Sequence, residues 1–231
     1  MALGNTEAIL KQSKVVREGE QVVSERTFNL IIGGMLLWGF LLNFLTVSLF
    51  GEQVLRLVYG VNPFVFLIGY IVLVLAGNAL VMRGSTALSF IGYTLIAAPI
   101  GMVICLSVQG IPVSTVKSAV LITAIVTLSF MIAATVFTGF FLSLGRVLFF
   151  SLLFTIVGGL ISTLLFRGRG FVLYEWLSAG IFSLYIGYDW ARANTCAPTV
   201  HNAVCLSASL YLDIVNLFLR ILSILNRNDR K

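Results

Sequence analysis

FNLIIGGMLLWGFLLNFLTVSLF, residues 28–50, holds no charged side chain, and it matches in length the ~20 apolar residues with which a helix crosses the hydrocarbon core of a bilayer. Runs of the same kind recur near 62–82, 86–108, 118–140, 144–166, 171–193 and 203–225. Seven such runs predict an all-α polytopic membrane protein. A lipid-facing barrel strand would alternate apolar and polar residues, and that alternation is missing. Helices, which satisfy their own backbone hydrogen bonds, are therefore the expected spanning element.

Composition supports this. Of 231 residues, 59% are hydrophobic and 10% charged, more apolar surface than an aqueous fold could bury. A net charge of +6 would suggest nucleic acid in a soluble protein. Here the basic residues stand one or two at a time in short joints, as topology determinants do, so the expected partner is the lipid bilayer and not nucleic acid. With seven spans the basic residues divide evenly between the two sides, so total charge does not set the orientation; around the first helix, which often dominates, Lys11, Lys14, Arg17 and Arg26 precede and Arg56 follows, which favours a cytoplasmic N-terminus.

Residues 1–27 read as a polar tail, 28–225 as one seven-helix transmembrane domain and 226–231 as a basic C-terminal tail. The N-terminal tail lacks the short apolar core and small-residue cleavage site of a secretory signal, so the first run is expected to be a retained anchor. Turn chemistry marks the joints at 60–63, 84–85, 110–112, 145 and 168–170. Gly33, Gly34, Gly39, Gly69, Gly77, Gly101, Gly158, Gly159 and Gly180 fall inside the runs, where small residues let helix backbones approach. Pro99 lies mid-run and predicts a kink.

Several chemistries find little support. Cys105, Cys196 and Cys205 lack CxxC spacing, which argues against a disulfide scaffold or a zinc site. Cys196 and Cys205 flank the last joint and are placed to pair, although reduced thiols acting as small apolar residues are the favoured reading. His201 is the only histidine and falls in that joint, so no metal cluster is expected. There is no nucleotide-binding glycine loop and no GxSxG nucleophile motif. No resident cofactor and no enzyme activity are expected.

The polar residues inside the runs are more telling. Between Glu52 and Asp229 the acidic side chains are Glu175, Asp189 and Asp213, all in the last two runs. A carboxylate at membrane depth is costly unless it faces a cavity or a partner, so it marks function by default. Helical spacing puts Cys205, Ser209, Asp213, Asn216 and Arg220 on one stripe, and Glu175, Ser178, Phe182, Tyr185, Asp189 and Arg192 on another. The plain alternative is that both stripes are satisfied helix contacts.

In an antiparallel hairpin turning near residue 201, Asp189 and Asp213 are each twelve residues from the turn and share a depth. Two carboxylates that close cannot both ionise cheaply and titrate as a pair. Such a pair is a candidate proton sensor and, when ionised, a transient site for a hard cation such as Ca²⁺. Arg83, at the end of the second run, lies on the membrane side where it would reach Asp189. Its other reading is a side chain snorkelling to headgroups. Arg220 reads as an interface anchor or an internal counter-charge.

IFSLYIGYDW (181–190) and SLYLDIVNLFLRIL (209–222), supported by MRGSTALSFIGYTL (82–95), resemble the signature of the Bax inhibitor-1 family, also called the transmembrane Bax inhibitor motif family, including its bacterial calcium-leak members. The resemblance implies six helices wrapped around a central C-terminal helix. It also implies a pH-sensitive calcium leak governed by Asp189 and Asp213, with Arg83 as a latch on Asp189. The implied location is the plasma membrane in a bacterium, or an endoplasmic reticulum or Golgi-type membrane in a eukaryote. One departure is visible. A family member carries a glutamate in the second helix about three turns before the arginine, where this chain has Val72. Glu175, ~21 Å from Asp189 along nearly the same helix face, is the candidate substitute.

Calcium and protons are thus the expected small partners, with Glu175, Ser209, Asn216, Tyr185 and Arg220 as candidate pathway residues. Three other functions fit parts of the pattern. An intramembrane aspartyl protease has two aspartates on adjacent helices, but its GxGD motif is replaced here by Leu210-Tyr211-Leu212-Asp213. A cation/proton exchanger would use the same pair. An interaction scaffold restraining partner proteins makes no demand on the aspartates.

Overall fold

The structure, a computed structural model, describes residues 22–83, 85–165 and 172–228. The polar tail up to Gln21, Gly84, the 168–170 joint with Arg167 and Arg169, and Asp229, Arg230 and Lys231 lie outside the described residues.

Nine helices follow one another among the described residues: α1 (Glu25–Leu49), α2 (Gly51–Gly60), α3 (Pro63–Val81), α4 (Thr86–Val108), α5 (Val113–Val136), α6 (Thr138–Ser143), α7 (Gly145–Leu165), α8 (Val172–Ala193) and α9 (Val200–Asn228). The seven long ones fall on the seven hydropathy runs, with ends that differ by up to five residues. Of these, α1, α3, α4, α5 and α9 are long and apolar enough to cross a membrane. In α8 three charged residues, Glu175, Asp189 and Arg192, dilute an otherwise apolar sequence. The chain is an integral, multi-pass, all-α membrane protein.

Local chemistry sets the helix starts. The Ser24 hydroxyl accepts from Thr27 N at 3.2 Å to cap α1, and Asn62 caps α3 with Pro63 in its first turn. Gly110, at φ 70°, supplies the left-handed residue that turns the chain toward α5.

The structure departs from the sequence reading at several joints. The segment after the first run is not a bare joint but α2, a short amphipathic helix in which only Val54 is buried. Glu52 and Arg56 pair along it at 3.6 Å, and Tyr59 Oη donates to Gln109 Oε1 at 2.7 Å. The run expected at 118–140 starts at Val113, capped by Pro112, and ends at Val136, with α6 intervening before α7. α4 continues through Pro99 to Val108. α9 begins at Val200, so His201 lies in its first turn and is buried, not in a loop. Cys196 and Cys205 are thiols. Cys205 Sγ lies 3.5 Å from His201 Nε2.

Two compact units make up the described chain. The first comprises the residues up to Gly110 and Ala197–Tyr211, and the second Ile111–Cys196 and the residues from Leu212 onward. In the first unit, α3 and α4 touch backbone to backbone: a Cβ on Gly77 would meet Gly92 O at 2.6 Å. Gly39 of α1 admits Tyr93 and Tyr211, both fully buried with ring centroids 5.6 Å apart. Tyr211 Oη donates to Asn43 Oδ1 at 2.9 Å. Val23 N donates to Pro198 O at 2.9 Å, tying the approach to α1 to the approach to α9.

In the second unit, α5, α6 and α7 pack on α8. The Phe141 ring lies where a Cβ on Gly187 would go. Trp190 Nε1 donates to Thr135 Oγ1 at 3.0 Å, and Tyr185 Oη to Leu148 O at 2.6 Å. Gly33, Gly34, Gly69 and Gly180, expected as packing sites, have open space where a Cβ would stand, with nothing within 4 Å. Large apolar side chains such as Phe64, Ile68 and Leu75 of α3 are exposed, as lipid-facing residues are.

Candidate functional site

The acidic residues singled out by sequence fall in the second unit, on α8 and on the part of α9 beyond Tyr211. Steps of three and four residues on α8 place Glu175, Ser178, Phe182, Tyr185, Asp189 and Arg192 along one face. Glu175, Ser178, Phe182 and Asp189 are buried.

Asp189 and Asp213 are brought together. Asp189 is 3% exposed and Asp213 9%, and the two carboxyls lie close enough to act on each other's charge. Two buried carboxylates so placed repel each other, and a proton on one of them both removes that repulsion and lets it donate to the other. The other oxygen of Asp213, Oδ2, is buried with no hydrogen-bond partner among the described residues. Buried polar oxygens in native proteins nearly always have a protein or water partner, so this one marks a place for water.

Asp189 has a second attachment. Arg192 Nη1 donates to Asp189 Oδ1 at 3.1 Å, and the guanidinium sits 5.8 Å from the Tyr188 ring centroid. The arginine side chain is 48% exposed and the aspartate 5%, so the pair joins the buried dyad to its surroundings. Sequence spacing puts Arg192 on the stripe but gives it no role. The available signal is its position three residues after Asp189, where helical side chains meet. Arg83, the candidate latch, follows α3 in the first unit and is exposed.

A second ion pair lies at the other end of α8. Arg220 Nη1 and Glu175 Oε2 are 3.2 Å apart, and the guanidinium lies 5.1 Å from the Tyr174 ring centroid. Arg220 is thus an internal counter-charge. Asn216, between Asp213 and Arg220 on the same face, is partly buried, as is Tyr185. Ser209 is partly buried in the first unit's portion of α9.

Among the described residues no group of three or more His, Cys, Asp or Glu side chains is placed to hold a metal ion. Two carboxylates alone supply at most four oxygens, against the six to eight that Ca²⁺ takes.

A family model described as "Inhibitor of apoptosis-promoting Bax1" matches residues 20–230. The chain belongs to the Bax inhibitor-1 family. Among curated proteins, none matches the sequence. The Bax inhibitor-1 match runs from ahead of α1 to the end of α9 and so takes in both ion pairs and the aspartate dyad.

Proposed function

We propose that this Bax inhibitor-1 family protein is a pH-sensitive calcium leak whose gate is the Asp189–Asp213 pair. The observation that carries the reading is the burial of two carboxyls near each other, one on α8 and one on α9. With one proton between them the two side chains attract and hold the helices together. With both ionised they repel and present oxygens to a divalent cation. The protonated arrangement is the closed form. Rising pH opens it, and a cation concentration gradient is the only driving force required.

Arg192 is the counter-ion that keeps Asp189 from serving a cation in the closed form, through the 3.1 Å ion pair. Arg83, at the position of the family's latch, would add a second hold on Asp189 in an exchange of partners. Tyr185 and Asn216 flank the dyad and offer polar groups to a hydrated ion.

The test is ion flux into liposomes holding the purified protein, with Ca²⁺, Na⁺ and K⁺ compared across pH. Calcium influx that grows with pH supports the reading. Flux that appears only against an opposing proton gradient would make the protein an exchanger, and cleavage of a transmembrane peptide in the same vesicles would make it a protease.

A further inference from the structure

Glu175 and Arg220 form a partly buried ion pair that the dyad gate does not use. Their side chains are 10% and 27% exposed. Glu175 lies in the first turn of α8, while Asp189 lies near its end at Ala193, a separation of ~21 Å along the axis. The two carboxylate–guanidinium pairs of the unit therefore stand at opposite ends of one helix face. On α9 Arg220 is only ~10 Å beyond Asp213. The two long side chains of Arg220 and Glu175 span the difference.

Arg220 is held inward. A membrane arginine near a helix end ordinarily extends its head to the interface, but this guanidinium stacks by Tyr174, whose Oη is fixed by donating to Thr155 O at 2.7 Å. Other polar atoms of the same unit are buried without a hydrogen-bond partner among the described residues: Ser178 Oγ, one turn from Glu175 on its own face, Thr127 Oγ1 of α5, Arg220 Nε and Asp213 Oδ2. Orphans of this kind call for water. They occur on α5, α8 and α9 and include both the dyad and the arginine of the second pair.

We infer that the Glu175–Arg220 pair is the charge filter of the leak, a second station that sets how readily a divalent cation passes. This rests on the leak reading above and adds a selectivity-determining pair to it. The Arg220 charge repels the cation and Glu175 neutralises that charge. Without Arg220, Glu175 becomes a second lone carboxylate that attracts Ca²⁺. Without Glu175, an uncompensated guanidinium bars the way.

The two halves of one ion pair therefore have opposite effects, which a merely structural pair would not. In calcium influx measured in liposomes, Arg220→Gln should raise the rate several-fold and increase the preference for Ca²⁺ over K⁺. Glu175→Gln should lower the rate several-fold, Arg220→Lys should stay near wild type, and the Glu175→Gln/Arg220→Gln double variant should fall between the two single ones. Single variants that shift influx in the same direction overturn the filter. If Glu175→Gln does not fold, Arg220→Gln and Arg220→Lys decide, and equal influx in those two overturns it. Asp213→Asn, assayed in parallel, separates the failures: unchanged influx there sinks the leak reading itself, whereas reduced influx with no opposite effect at Glu175 and Arg220 sinks the filter alone.

Discussion

Asp189 and Asp213, on two different helices, are both buried in the second unit with their carboxyls close enough to act on each other. Two negative charges so placed in a low-dielectric surrounding would cost far more than one, so the contact exists as a proton-bearing pair or it separates. In the proposed leak, that bistability would serve as the gate, without a moving domain.

Releasing Asp189 from its counter-ion should favour the separated form. Arg192→Gln is expected to raise basal calcium flux several-fold at neutral pH, because Asp189 then loses its 3.1 Å partner and becomes available to the cation. Arg83→Ala is the companion variant. A rise in both gives the two arginines a shared latch. A rise with Arg192→Gln alone assigns it to Arg192, and no change in either would leave both outside the gate.

Tight helix contacts predict a stability contrast between glycines. Gly39→Ala would set a methyl 2.5 Å from Tyr93 Oη and 2.8 Å from the Tyr211 ring, both in fully buried side chains. Overpacking of this kind costs ~1–3 kcal/mol and should lower the thermal midpoint in detergent. Gly33→Ala meets nothing within 4 Å and should leave the midpoint unchanged or slightly higher, since alanine favours the helix by ~1 kcal/mol. Equal midpoints for the two variants would contradict the packing described for α1.

Much of this is legible in the sequence because the bilayer imposes a simple code. Length and apolarity locate all seven long helices, and helical spacing puts Asp189 and Arg192, and Asp213 and Arg220, on common faces. Gly39, Gly77 and Gly101 are contact sites as their places inside the runs suggest, but Gly33 and Gly180 look identical in sequence, and only the partner helix distinguishes them. α2 escapes a hydropathy window because GEQVLRLVYG is too short and too polar, although its amphipathic spacing is there to read. α9 starts three residues before the apolar run because Thr199 caps it, its hydroxyl accepting from Asn202 N at 3.1 Å, a signal that hydropathy does not read, and the helix so takes in His201. The Glu175–Arg220 contact is not legible from matched depth, since it depends on the reach of two long side chains.

Cys196, in the joint between α8 and α9, offers a pH-dependent probe outside the spans. Burial pushes its thiol up to about 11, against the opposing pull of Arg192. The thiolate is the reactive form, so at pH 8 alkylation should run about two orders of magnitude slower than for a free cysteine of pKa ~8.5 and accelerate toward pH 10. Peptide mass spectrometry after timed labelling reads this directly. Labelling of folded protein at the free-cysteine rate would show that the joint is open.

The central claim is that the protonation of the Asp189–Asp213 pair gates calcium. Its sign follows from charge: acid supplies the proton that joins the carboxyls and removes the charge that attracts the cation, so flux should fall as pH drops. The most direct measurement is calcium influx into liposomes between about pH 5 and 8 for wild type, Asp189→Asn and Asp213→Asn. The account predicts a wild-type rate that rises with pH and a low, flat rate for Asp213→Asn, whose amide keeps the shape of the side chain but cannot ionise. Wild-type pH dependence in both asparagine variants would contradict it.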